Sequence, residues 1–336
     1  MNGLARNSEP TVAASHLFRA AVPARDLPPG DPTYGCDEAT LRAIQPPAEV
    51  PGFLDFWQAT SQAAQAVPLR LRTRADPTRH PTHDVRVVGW DSFGGVQVGG
   101  WLLEPRQGPA QRAVIIGHGY GGRSSVQTSW LPADTVGLFW CAPGFNLSAR
   151  SDIPGIAAQH VLHGIAHRDT YVIRACVASA WSATRVVLEL FPHVAGRCYF
   201  HGISFSAGVG ALALPWDASI QAAALEIATF GHHPWRQRCP NQGSGEAVRQ
   251  YRAQHPEVDH VLAFYDAAVA ARHIHIPVVA APALADPMVP PPGQWAIVHG
   301  LAGPVSLCPF TTGHSPNPHL VREYRRFRMA LSERFR

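Results

Sequence analysis

Three observations predict an α/β chain built on a mostly parallel sheet with helices on both faces. From Asp84 onward, short apolar runs alternate with helix-like segments, the signature of strands joined by crossover helices. At 336 residues and 46% hydrophobic, the chain is long and apolar enough to bury such a sheet within one domain. Between 197 and 214, an apolar run passes through a Ser/Gly turn straight into a helix-like pattern, RCYFHGISFSAGVGALAL.

The elements follow in order. Residues 1–50 are Pro-rich and irregular apart from a short helix around 41–44, and read as an arm that packs on the domain or on a neighbouring subunit. A helix over 53–66 sets Phe53, Phe56 and Trp57 on one apolar side. The segment DVRVVGWDSFGGVQVGGWLLEP reads as a strand pair, and the β-branched run in RAVIIGHGYGGRSS as a buried strand ending in a glycine-rich loop. Two features interrupt the rhythm. Residues 146–168, rich in His, Gly and Ser, read as a long loop over the active face, and an insertion at about 230–262 reads as a cap; loops of this length are often lids. Strands at 278–281 and 305–310 and a final Arg-rich helix complete a domain spanning 51–336.

The turn at 202–206 carries the chemistry. A strand ending in G-x-S-x-G, followed at once by a helix, holds a serine oxygen out on a tight turn. Gly202, Ile203 and Ser204 fill the first half, while Ser206 stands where the last glycine is expected. Two registers fit, with Ser204 or Ser206 as nucleophile. Ser204 is preferred because Cys198, Tyr199 and Phe200 then make the strand and Gly202 takes the tight position.

An activated serine needs a base, a carboxylate to orient it, and donors for the oxyanion. The loop His118-Gly119-Tyr120-Gly121-Gly122 supplies one donor, the amide of Tyr120, and the residue after the nucleophile supplies the other, the amide of Phe205. Asp286 falls just past the carboxyl end of the strand at 278–281, where functional groups gather in parallel sheets. A turn-forming Asp before Pro287 is the plainer reading of the same residue. His314 lies in the last strand-to-helix loop, downstream of the acid. His232, His233 and Trp235, in the insertion, are candidate substrate contacts.

These residues carry a family likeness. From about residue 51 to 327 the chain resembles the acetyl xylan esterase and cephalosporin C deacetylase family, the family-seven carbohydrate esterases of the α/β-hydrolase fold. The likeness rests on PGFLDFW, the strand pair, GHGYGGR, HGIAHRDTYVIRACVASAWSATRVV, the serine turn, and LAFYDAAVAARHIHIPVV leading to Asp286. It implies a Ser204, Asp286 and His314 triad, with an oxyanion amide from Tyr120. Three departures stand out. Members carry Gly-Gly-Ser-Gln-Gly-Gly where this chain has Gly202-Ile203-Ser204-Phe205-Ser206-Ala207; they carry Arg-Gly-Gln where it has Ala142-Pro143-Gly144-Phe145-Asn146; and a glutamate follows their histidine where Ser315 stands here. The family also forms rings of subunits, which makes a homo-oligomer an expectation.

Composition narrows the classes. The chain contains no lysine, which excludes a Schiff-base lysine enzyme, a P-loop and a protein kinase. The net charge of +4 is thinly spread, and the cluster at Arg322 to Arg328 reads as a solvated helix face rather than a nucleic-acid site. Six scattered cysteines read as buried thiols, without metal spacing. No apolar run of about 18 residues and no apolar leader core is present, so a cytoplasmic protein acting on a small-molecule ester, without cofactor or metal and without membrane or nucleic-acid partners, is expected. The expected reaction is acyl transfer to Ser204 and then to water, on short acyl groups, with an alcohol side greasier than a sugar site because Phe205 replaces glutamine. A thioesterase, lactonase or amide hydrolase on the same fold, and a non-catalytic relative, remain the alternatives.

Overall fold

In a computed structural model of the chain, the structure describes residues 30–126 and 130–336, so the first 29 residues of the arm lie outside the described residues. The remainder of the arm holds α1 (Glu38–Ala43), whose N-cap Asp37 accepts the Thr40 amide at 2.7 Å. Next comes α2 (Phe53–Gln65), where Phe53, Phe56, Trp57, Thr60, Ser61 and Ala64 recur at helical spacing and are buried.

Four strands follow: β1 (Arg72–Ala75), β2 (His83–Ser92), β3 (Val96–Pro105) and β4 (Arg112–Ile116). Then come β5 (Thr135–Cys141), α3 (Ala157–His160), α4 (Val172–Leu190), β6 (Cys198–Ile203), α5 (Phe205–Ala213) and β7 (Ile220–Glu226). Four helices, α6 (His233–Arg236), α7 (Ser244–Gln254), α8 (Asp259–Ala263) and α9 (Ala267–Ala271), precede β8 (Val278–Ala281) and β9 (Ala283–Ala285). The chain closes with α10 (Pro291–Gly300), β10 (Val305–Leu307), β11 (Phe310–Thr312) and α11 (Leu320–Arg334).

Nine strands form one sheet in the order β1-β2-β3-β5-β4-β6-β7-β8-β10. The first three are antiparallel to their neighbours, and every pairing from β5 onward is parallel. The central strands are buried on both faces, which is why they read as continuous apolar runs; all seven residues of β5 are buried. One face is covered by α2, α4, α5, α9 and α10 around Trp57, Trp181 and Trp295. On the other, Phe327 and Leu331 of α11 join Phe139 and Tyr199 in a second apolar core.

The structure redraws two expectations. The strand expected over 305–310 breaks into β10 and β11 at Pro309, opposite Pro282, which likewise separates β8 from β9. A proline has no ladder donor, so both strands step out of the main sheet together and carry the following loops over the site. The loop expected over 146–168 contains a 3-10 turn (Asn146–Ser148) and α3, which buries His160. The insertion after β7 is helical through α6, α7 and α8.

Candidate active site

Strand β6 ends at Ile203 and α5 begins at Phe205, leaving Ser204 alone in the turn at φ 52°, ψ −108°. Left-handed φ is strained for a residue with a side chain, and such strain is kept where the surroundings over-determine it. The neighbours show how. A Cβ on Gly202 would meet the Ala207 backbone at 2.7 Å, so only glycine lets strand and helix close this tightly. The Ser204 amide donates to the Glu226 carbonyl on β7 at 2.8 Å, and its carbonyl accepts the Thr229 amide at 3.2 Å.

The Ser204 Oγ lies 2.9 Å from His314 Nε2, and His314 Nδ1 lies 2.8 Å from Asp286 Oδ2. Three residues separated widely in sequence therefore meet in a proton-transfer chain. Asp286 is fully buried and saturated with donors: Oδ1 accepts the amides of Met288 (2.9 Å) and Val289 (3.0 Å), and Oδ2 also accepts Gln294 Nε2 (3.1 Å). The turn-forming role weighed for Asp286 is real, and it coexists with the bond to His314. A Cβ at Gly313 would fall 2.0 Å from Asp286 Oδ2, so the glycine before His314 lets that loop lie on the acid. The arm contributes as well, the Pro32 carbonyl accepting the Asp286 amide at 2.8 Å.

Ser206 is brought to the turn but faces inward. It is fully buried, its Oγ accepting the Ile203 amide (3.0 Å) and donating to the Ile203 carbonyl (3.1 Å). The second register therefore has no access to His314, and Ser206 serves as a brace for the turn.

Tyr120 lines a cavity of about 260 Å³ at Ser204, together with Gly119, Gly121, Ile203, Ile227, Thr229, Gly243, Ser244, Met288, Val289 and His314. Phe205 holds the first position of α5, where amides have no partner inside the helix and face the turn. Its ring points the other way, fully buried 4.3 Å from the Tyr120 ring, so the apolar character of the cavity comes from Ile203, Ile227, Met288 and Val289 instead. The expected substrate contacts His232, His233 and Trp235 do not line this cavity. Asp266 accepts the His232 and His233 amides at 2.9 and 2.7 Å, and the His232 ring caps the Trp235 amide. Their physical role is to start α6, an assignment for which a histidine pair before proline gives no sequence signal.

Several positioning groups escape sequence reading because their partners are far along the chain. Asn146 Oδ1 accepts the Arg123 amide at 2.6 Å, tying the loop that holds Tyr120 to the loop after β5, where the family motif is missing. Buried His118 accepts the Ala142 amide at Nε2 (3.0 Å) and so donates from Nδ1 to the Gly119 carbonyl (2.7 Å). His160 Nε2 donates to the Pro143 carbonyl (2.9 Å), leaving Nδ1 to accept from the Tyr120 hydroxyl (3.3 Å). Glu323, reaching from α11, accepts Thr311 and Asn317 and fixes the His314 loop although Ser315 replaces the family glutamate. Asn146→Ala is expected to lower kcat by about 10–100-fold through a displaced loop, with KM changed much less; steady-state kinetics checks it.

The chain as a whole resembles known esterases. The family model for acetyl xylan esterase (AXE1) matches residues 40–312. The chain belongs to the acetyl xylan esterase family. Its members are carboxylic ester hydrolases acting on acetyl esters, with a Ser-His-Asp triad as the general mechanism. An acetyl xylan esterase from Paenibacillus sp. R4 shares 18% identity at TM-score 0.77, over 88% of this chain and 99% of that one. Acetyl xylan esterase 1 from Thermoanaerobacterium sp. JW/SL YS485 shares 14% at TM-score 0.76, with coverage of 88% and 99%. An acylaminoacyl peptidase from Pyrococcus horikoshii shares 13% at TM-score 0.58, covering 75% of this chain and 42% of that one. No curated protein matches the sequence. The acetyl xylan esterase family thus has the α/β-hydrolase fold described above, and no helix among the described residues is long and apolar enough to cross a membrane.

Buried histidines give this family member a pH signature. Burial lowers His118, His160 and His232 from the usual 6.5 to about 4, and His233 to about 3. Below pH 6.5 the unfolded chain binds protons that these rings refuse until about pH 4. Their contribution to stability is therefore complete above 6.5 and lost as the pH falls toward 4. Asp266, raised by burial to about 6, and Asp217, also raised by burial, oppose this as two groups against four. The urea midpoint is expected to fall steadily from pH 6.5 to 4, measured by tryptophan fluorescence.

Proposed function

We propose that Ser204 attacks the carbonyl of a short-chain ester while His314, oriented by Asp286, takes its proton, and that the amides of Tyr120 and Phe205 hold the oxyanion. His314 then returns the proton to the leaving alcohol, and water releases the acid by the same steps. The single observation that carries this reading is the pair of contacts at His314, 2.9 Å to Ser204 and 2.8 Å to Asp286. It favours a working hydrolase over a non-catalytic relative, since the base has a serine on one nitrogen and a buried carboxylate on the other.

The cavity wall of Ile203, Ile227, Met288 and Val289 supports small aryl or alkyl acetates over sugar acetates. The insertion at 230–262 is read as a cap, since Gly243 and Ser244 reach that cavity. Six buried cysteines, scattered without metal-like spacing, support a reducing, cytoplasmic compartment. Comparing kcat/KM for 4-nitrophenyl acetate with that for peracetylated xylose, each divided by its rate with hydroxide, tests the substrate reading. The aryl ester is expected to lead; a lead for the sugar overturns the greasy alcohol side.

A further inference from the structure

One wall of the cavity rests on a buried cation. Thr229 is 3% exposed and lines the cavity, and its Oγ1 accepts a hydrogen bond from Nη1 of Arg236, itself 5% exposed. Arginine has donors and no acceptor, so the direction of this bond is fixed. The hydroxyl proton of Thr229 must then point elsewhere, and among the described residues no acceptor lies within its reach. The open space beside it is the cavity.

The donor is also held in place. The Arg236 guanidinium sits 5.5 Å from the centre of the Phe230 ring, and its Nη2 lies 2.8 Å from where a Cβ on Gly245 would stand. Through its backbone, Thr229 donates to the carbonyl of Ser204 itself at 3.2 Å. Residues on both sides of it, Ile227 and Phe230, have φ of 41° and 66°, a conformation neither prefers, so the segment is fixed by its surroundings.

We propose that Thr229 is a specificity-determining donor that selects esters carrying an acceptor oxygen a few bonds from the reacting carbonyl over their all-carbon counterparts. The inference rests on Ser204 as the nucleophile. An alkyl group covering this hydroxyl leaves a desolvated donor without a partner, whereas an ether or hydroxyl oxygen satisfies it; sites built around such a donor discriminate far better than apolar ones. The apolar alcohol side proposed above assigns the oxygen to the acyl part, and matched substrates on both sides test that assignment.

Two pairs are compared: 4-nitrophenyl methoxyacetate with 4-nitrophenyl butyrate for the acyl side, and 2-methoxyethyl acetate with butyl acetate for the alcohol side. Each kcat/KM is divided by the hydroxide rate of the same ester. In wild-type protein the acyl pair is expected to show an ether preference of about 10-fold and the alcohol pair none. Thr229→Val is expected to bring that ratio close to one, and Thr229→Ser to retain it. No ether preference in the acyl pair, one confined to the alcohol pair, or a preference that persists in Thr229→Val, overturns the proposal. The wild-type ratios test it even where the valine variant fails to fold. Failure of the underlying reading looks different, because turnover would then survive in Ser204→Ala.

Discussion

Ser204→Ala is expected to lower kcat on 4-nitrophenyl acetate by about 10⁶, the loss found when a triad nucleophile is removed. The magnitude follows from the absence of a substitute. Ser206 is the nearest hydroxyl in the turn, yet it is buried and engaged at both ends with Ile203. Oxyanion donors and binding would leave a residual rate above that in water. Ser206→Ala should behave differently, loosening the turn and lowering stability while preserving a serine that His314 can reach. Parallel kinetics and thermal unfolding of the two variants separate the roles; a larger kcat loss in Ser206→Ala would reverse the register.

Asp286→Asn is expected to lower kcat by about 10⁴ with little change in fold. All four contacts to the carboxylate come from donors: two amides on Oδ1, and Gln294 with His314 on Oδ2. An asparagine must place its NH₂ against some of them. If the NH₂ meets His314, Nδ1 becomes the acceptor and Nε2 carries the proton, which is the wrong tautomer for a base facing Ser204. If it meets the Met288 and Val289 amides, the loop holding residue 286 loses its anchors. Both routes spoil proton transfer, and the first is recognisable by partial recovery of rate at high pH. Stopped-flow acylation kinetics across pH, with circular dichroism to check the fold, tests this; a loss below 10-fold would remove Asp286 from the site.

Sequence alone carried the backbone of this account. The order of Ser204, Asp286 and His314, each after an apolar run, was legible because strand ends in a parallel sheet converge on one edge. Local requirements such as Gly202 in a tight turn were legible for the same kind of reason. What escaped reading was everything that depends on a partner far along the chain. Asn146 on the Arg123 amide, Glu323 on the His314 loop and Arg236 on Thr229 each compensate for or add to a local motif from elsewhere. The pairing of Pro282 with Pro309 is equally non-local, and it turned one expected strand into two. His232, His233 and Trp235 are non-local in the same way: they do not line the cavity, and the His232 and His233 amides bond Asp266 while the His232 ring caps the Trp235 amide.

The most direct test of the central claim is peptide mass spectrometry after incubation with a fluorophosphonate, which reacts only with an activated serine. One adduct is expected, on Ser204, abolished by Ser204→Ala and strongly slowed by Asp286→Asn. An adduct on Ser206, or a folded protein that takes no label, would contradict it.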